Sequence, residues 1–416
     1  MPRAQAAPLL SPAVFLDGLT PGLRIFVAGC AGEPLALLDA VVSSPHRVAG
    51  CTFLQVPIPG VNRRDLSTLA PLEALFMTPE LRAGLAAGRV RYRPLHYAES
   101  FAYLRDRAQC DMAWFRCSAP RGGRVSLALT HDFVPALIAA GAGLVGVVDE
   151  ALPYVSDGVE IDVSRFHALI DGPSASPELV TDRQDAALVA LGQNAAALIG
   201  NGMTLQTGIG TAVTAVLVAL HDHRDLVLHA GIASDASVAL LECGVATRAT
   251  TGVVLGSAAL YKRIAEMPRL SFRPVSYTHD ASLLAALPRL IAVNGAIEVD
   301  LLGQVNAEMV EGRQVSGHGG VADFVRGARR SAGGRAVTVL LSTGRGGTVS
   351  RIVPSLAPGT PVALTRADVD VVVTEHGVAE LRHADIDERA QRLIGIAAPT
   401  FRDALAREWD ALRRAM

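Results

Sequence analysis

Short apolar runs of strand length alternate with stretches of helical spacing along the whole chain. Arg24-Ile-Phe-Val-Ala28 reads as a strand, Gly29-Cys-Ala-Gly32 as a tight turn, and Pro34 as the opening of a helix, a position proline favours. Later runs at Gly50–Val56, Ala113–Cys117 and Leu144–Val148 read as further strands. Strands that alternate with helices in this way predict an α/β fold with largely parallel sheets. The longest apolar run, Phe133 to Val148, contains Pro135 and three glycines, so it reads as a helix followed by a buried strand and not as a membrane span.

The pattern restarts near the middle. Asp182 to Ile199 has helical spacing, Met203-Thr-Leu-Gln-Thr207 is strand-like, Gly208-Ile-Gly210 turns, and Thr211 is placed to cap a helix running to Leu220. This strand–glycine turn–helix unit echoes the one at 24–40. The echo predicts tandem α/β domains, 1–180 and 181–416, joined in the polar, proline-bearing stretch Asp171 to Asp182. Arg402 to Met416 reads as a terminal amphipathic helix.

Composition narrows the function classes. The chain has 416 residues, half of them apolar, and a formal net charge of −2, with no basic stripe of the kind that binds nucleic acid. Lys262 is the only lysine, which leaves little room for Schiff-base chemistry or a lysine-bearing phosphate loop. The five cysteines are scattered, with no Cys-x-x-Cys pair. They suggest neither a disulfide framework nor a zinc site, and they fit a reduced, cytoplasmic compartment. The N-terminus carries no secretory pattern. His221 and His223 flank Asp222 just past a predicted helix end, where solvated side chains are the default.

Three strings carry candidate chemistry. In Asn294-Gly-Ala-Ile-Glu298-Val-Asp300-Leu-Leu-Gly303-Gln304-Val-Asn306, apolar and polar residues nearly alternate from Ala296 to Leu301. That pattern predicts a half-buried strand with Glu298 between Ile297 and Val299. A carboxylate in a partly dry setting can act as a covalent nucleophile. Gly202-Met-Thr-Leu-Gln206-Thr-Gly208-Ile-Gly210 places glycines and amides at a helix start, where anions bind. Val371-Val-Val373-Thr374-Glu375-His376-Gly377 reads as a buried strand opening into a polar loop, the place where ligands collect in α/β folds.

These strings resemble the acetyl-CoA hydrolase/transferase family, the glutamate-dependent CoA-transferases. In that family Asn-x-Ala-Ile-Glu-Val-Asp-Leu-x-Gly-Gln-Val-Asn carries the catalytic glutamate, and Gly295 is the one unusual position here. The resemblance implies a fold of two tandem open α/β domains with the active site between them. It also implies a catalytic role for Glu298 and an oxyanion role for the Gly377 amide. Gln206, Gly208 and Gly210 would lie by the active site. Phe272-Arg273-Pro274-Val275-Ser276 resembles the segment lining the pantetheine and thioester pocket, and Val353 and Val373 fall in further CoA-contacting strands. Ser316-Gly-His-Gly-Gly320 followed by Asp323-Phe324 resembles the family's Ser-Gly-x-Gly-Gly-x-x-Asp-Phe loop.

The implied function is CoA transfer between short-chain carboxylic acids, an acetate-type donor or acceptor among them, through a glutamyl-CoA thioester on Glu298. Acyl-CoA hydrolysis by the same glutamate is the alternative, and a non-catalytic CoA-binding protein a further one. Coenzyme A enters as substrate, with no metal, no nucleic acid and no membrane partner, and the resemblance implies a homodimer. Three departures stand out. His376 replaces a tyrosine, Pro120-Arg-Gly-Gly lacks the family's aspartate, and His229-Ala230-Gly231 stands where relatives commonly have His-Thr-Glu. The last bears on which acid is the native acyl acceptor.

Overall fold

The computed structural model describes residues 9–179, 181 and 185–416. The chain forms two compact units, one of Met1–Val180, Thr250–Thr278 and Val315–Gly319, the other of Thr181–Ala249, His279–Gln314 and Gly320–Met416.

The first unit is built on eight strands: β1 (Leu9–Leu10), β2 (Arg24–Val27), β3 (Thr52–Gln55), β4 (Leu72–Ala74), β5 (Val90–Tyr92), β6 (Met112–Ser118), β7 (Gly143–Asp149) and β8 (Phe166–Asp171). They form one parallel sheet in the order β1-β8-β7-β6-β2-β3-β4-β5. Both faces are covered. Ile25, Val27, Phe53, Trp114 and Val145 bury into one core, while Phe26, Leu54, Phe115 and Leu144 bury into the other. A strand that must be apolar on both sides reads as an unbroken hydrophobic run, and that explains the sequence pattern.

The second unit carries β9 (Thr204–Thr207), β10 (Leu226–Ala233), β11 (Leu290–Gly295), β12 (Glu298–Asp300), β13 (Val305–Asn306), β14 (Arg335–Val339), β15 (Ile352–Val353), β16 (Val371–Thr374) and β17 (Gly377–Glu380). Strands β10-β9-β11-β14-β16 run parallel, and β17 closes the edge antiparallel to β16. A separate ribbon of β13-β12-β15 packs Val299, Val305 and Ile352 into one apolar cluster with Ala336 of β14, Val372 of β16 and Ala379 of β17.

Several expectations shift in detail. The helix expected from Asp182 runs from Ala186 to Ala196, capped by Asp185, whose carboxylate accepts from Leu188 N; residues 182–184 lie outside the described residues. Thr211 is not a cap: Gly210 holds the N-cap position of helix Thr211–Val218 at φ +115°, a conformation only glycine adopts easily, so the cap is a backbone device without a side-chain oxygen. Pro34 occupies the N-cap position of helix Leu35–Ser43, not its first turn. The terminal helix is longer than expected, Pro399–Ala415, and buries Leu405 and Trp409. Among the described residues no helix is long and apolar enough to cross a membrane.

Candidate active site

Parallel register lines up one edge of the second unit's sheet. Thr207 pairs with Val293, Gly295 with Val339, and Val339 with Val373. Gly208, the segment 296–298 and the turn after Thr374 therefore all lie just beyond the C-terminal ends of neighbouring strands. This is where α/β sheets place their ligand sites.

Gln206 and Gly208 meet Asn294 here. The two buried amides exchange hydrogen bonds, Gln206 Nε2 to Asn294 Oδ1 at 3.3 Å and Asn294 Nδ2 to Gln206 Oε1 at 3.0 Å. The amide of Gly208 donates to Val293 O. The glycine turn is thus tied to the strand that leads into Glu298.

Glu298 opens β12. Its side chain is half-buried, and its Oε2 accepts from Asn306 Nδ2 at 3.0 Å across the Glu298–Asn306 strand pair. The Asn306 amide cannot turn round, because its Oδ1 already accepts from the backbone N–H groups of Glu308 and Met309, both at 3.0 Å. Its NH2 must therefore face the carboxylate. Asp300, two residues on, is drawn inward. It is buried, and it gathers Leu302 N, Gln304 N and Gln304 Nε2 at 2.7–3.1 Å. Ile297 is only half-buried. Asp300 and Gln304 thus build the turn that returns the chain so that Asn306 reaches Glu298. Val353 pairs with Asp300 in the same ribbon.

Gly377 does not sit in an open loop. Thr374 pairs with Gly377 across a two-residue turn, so Glu375 and His376 form the tip of a hairpin. Gly377 adopts φ +139°, outside the range of ordinary side-chain-bearing residues. Glu375 is bolted down by Ser342 N at 2.8 Å and Ser342 Oγ at 2.6 Å, and Thr374 Oγ1 donates to Ile396 O at 2.6 Å. Val373 is fully buried in the sheet.

Phe272 to Ser276 belong to the first unit. Phe272 is buried against the His131 ring, with centroids 4.7 Å apart, and its amide donates to Asp157 O at 2.9 Å. Burial pulls the His131 pKa down to about 4. Arg273 Nη1 donates to Asp157 Oδ1 at 2.9 Å, Val275 N to Asp132 O, and Ser276 is exposed after Pro274 turns the chain into a short helix. The glycine loop at 316–320 is no loose connector. Within the same unit, a Cβ on Gly317 would stand 2.9 Å from the Phe76 ring.

The chain is 30% identical over 400 residues to the 4-hydroxybutyrate coenzyme A transferase of Clostridium kluyveri, with 93% of each chain covered. A succinyl-CoA:cyclohexane-1-carboxylate CoA transferase of Geobacter metallireducens is 32% identical, covering 92% of this chain and 90% of its own. The model of the acetyl-CoA hydrolase/transferase C-terminal domain matches residues 256–409. The chain belongs to the acetyl-CoA hydrolase/transferase family. The crystal structure of RipA from Yersinia pestis shares its fold at a TM-score of 0.91 and 26% identity, with 97% of each chain covered.

Within this acetyl-CoA hydrolase/transferase chain, sequence reasoning overlooked two partners. Asn306 was part of the quoted motif, but its contact with Glu298 depends on the turn at 300–304, which periodicity does not show. The Ser342 clamp on Glu375 joins residues 33 apart in sequence and had no local signal.

Proposed function

We propose that this enzyme moves CoA between short-chain carboxylic acids through a glutamyl-CoA thioester on Glu298. One observation carries the reading: a half-buried carboxylate at the C-terminal edge of a parallel sheet, held in one orientation by an amide that is itself locked. A weak nucleophile needs that kind of preorganisation.

The chemistry balances without an added proton. A Glu298 oxygen attacks the thioester carbonyl, the C–S bond breaks, and CoA leaves as thiolate from a mixed anhydride. The thiolate attacks the glutamyl carbonyl, the anhydride C–O bond breaks, and the first acid departs as its carboxylate. A second carboxylate runs the steps in reverse. Asn306 holds Oε2 of Glu298, and the attack is assigned to Oε1. The Gly377 amide is assigned the developing oxyanion, a contribution of about 3 kcal/mol for one well-placed donor. Gln206, Gly208, Gly210, Phe272–Ser276, Val353 and Val373 are assigned to the CoA arm on the strength of the family resemblance, which also supports a homodimer. Hydrolysis is the same sequence with water taking the glutamyl group, and the hydrolase side of the family keeps it as the second reading.

Initial-rate kinetics test the covalent route. Parallel double-reciprocal lines are expected for a ping-pong transferase. Intersecting lines would require a ternary complex and remove the intermediate. Thioester loss that does not respond to added acetate would shift the reading to hydrolysis.

A further inference from the structure

In the second unit, β14 lies between β11 and β16. Where it ends, Val339 O accepts from Ala296 N at 3.1 Å, and Leu340 N donates to Val373 O at 3.1 Å. The chain leaving β14 is therefore tied on one side to the segment that leads into Glu298. On the other side it is tied to the strand that leads into the 374–377 hairpin. Ser342 follows two residues later.

Ser342 is fully buried, and its backbone and side chain serve both sides at once. Its N–H donates to Glu375 Oε2 at 2.8 Å, and its Oγ–H to Glu375 Oε1 at 2.6 Å. A hydroxyl this close to a carboxylate makes a strong, charge-assisted bond. Its C=O accepts from Arg351 N at 2.8 Å, and Arg351 O accepts from Val299 N at 2.9 Å. Val299 is the residue after Glu298. One serine thus joins the hairpin tip to the strand of the proposed nucleophile.

The other ties of the hairpin lie at its base. Asn194 Nδ2 donates to Thr374 O at 3.0 Å, and Thr374 Oγ1 to Ile396 O. Among the described residues, Ser342 makes the only hydrogen bonds to the Glu375 carboxylate, while His376 Nε2 stands off at 3.7 Å.

We propose that Ser342 is a positioning residue for the transfer: it sets the hairpin tip that leads into Gly377 against the strand that presents Glu298. The inference rests on the Glu298 and Gly377 reading above. A misplacement of about 1 Å between reacting groups costs about 100-fold in rate. A loosened tip leaves the remote contacts to the CoA arm in place, so the loss falls on kcat and not on KM.

The test compares the full-length wild type with Ser342→Ala, Ser342→Cys, Glu375→Gln and Ser342→Ala/Glu375→Gln. Readouts are Tm, and kcat and KM for acetyl-CoA in transfer to propionate. Cysteine fills the serine's place with a weak donor, so Ser342→Cys decides the matter where Ser342→Ala does not fold. Both Ser342 variants are expected to lose about 10- to 100-fold in kcat, with KM for acetyl-CoA little changed. Glu375→Gln is expected to lose kcat as well. The double variant is expected to lose no more than the worse single variant, because the two side chains act through one contact. A lower Tm with wild-type kcat would make Ser342 merely structural and overturn the proposal. Losses that multiply in the double variant would also overturn it, since Ser342 would then not act through Glu375. Wild type that turns over with no borohydride-reducible adduct at residue 298 would instead overturn the Glu298 reading, and this inference with it. Wild type trapped at residue 298 beside Ser342 variants of full kcat would overturn this inference alone.

Discussion

The amide of Asn306 donates to the carboxylate of Glu298 at 3.0 Å, from a side chain whose oxygen is already committed to two backbone N–H groups. A hydrogen bond to a charged group contributes about 1.5–3 kcal/mol, or roughly 10- to 100-fold in rate if it holds the nucleophile in place. Asn306→Asp keeps the two backbone bonds and replaces the donor with a second carboxylate. We expect it to lose Tm, because the amide it replaces also donates to Met309 O at 2.7 Å, and to lose kcat by about 100-fold or more through repulsion between the two carboxylates. A wild-type kcat in Asn306→Asp would show that the contact is incidental.

Gly377 supplies a second test. Its φ of +139° would strain an alanine by on the order of 1–3 kcal/mol. Space is not the obstacle, since the nearest atom to an added Cβ is Ile396 Cγ2 at 3.8 Å. Relaxing that strain would turn the residue 377 amide away from its present direction. Gly377→Ala is expected to lower Tm by a few degrees and kcat by about 100-fold, with KM for acyl-CoA little changed. A fall in Tm with unchanged kcat would confine Gly377 to a structural role.

Glu33 gives a pH signature that is independent of catalysis. In the first unit it is buried beneath Asn62 Nδ2 at 3.0 Å and Gln55 Nε2 at 3.4 Å. Burial pushes its pKa up to about 7, against those hydrogen bonds and the Arg64 charge, which pull it down. The folded state therefore holds a proton that the unfolded chain releases near 4.5. The stability from this group is fully present below about pH 4.5 and is lost as pH rises through about 7, a change of about 3 kcal/mol. Glu33→Gln mimics the protonated acid, and its NH2 can donate to Gln55 Oε1, which is buried without a partner in the present amide orientation. Its Tm is expected to fall less than that of wild type between pH 5 and pH 8. Parallel Tm–pH curves would contradict the assignment.

Much of the fold is legible in the sequence because its strands are buried on both faces. Ile25–Val27 and Ala113–Phe115 announce themselves as apolar runs, since Phe26 and Val27, or Trp114 and Phe115, enter opposite cores. The stretch around Glu298 is legible as a motif but misleading as a pattern: Asp300 is drawn inward by three donors, which breaks the expected alternation. The hairpin closed by Thr374 and Gly377 is hidden, because Gly377–Glu380 is too short to show a period. The returns of the chain to the first unit at 250–278 and 315–319 leave no local trace.

Glu298→Gln keeps the shape and removes the proposed nucleophile, so it is expected to fold normally and to abolish transfer. Substantial residual transfer would remove Glu298 from that role.

The most direct measurement is mass spectrometry of the enzyme after incubation with acetyl-CoA and borohydride, which reduces a glutamyl thioester to the alcohol. Reduction at residue 298, absent without acetyl-CoA and absent in Glu298→Gln, is the expected result. An enzyme that turns over while residue 298 stays unmodified, or that is reduced at another residue, would contradict the account.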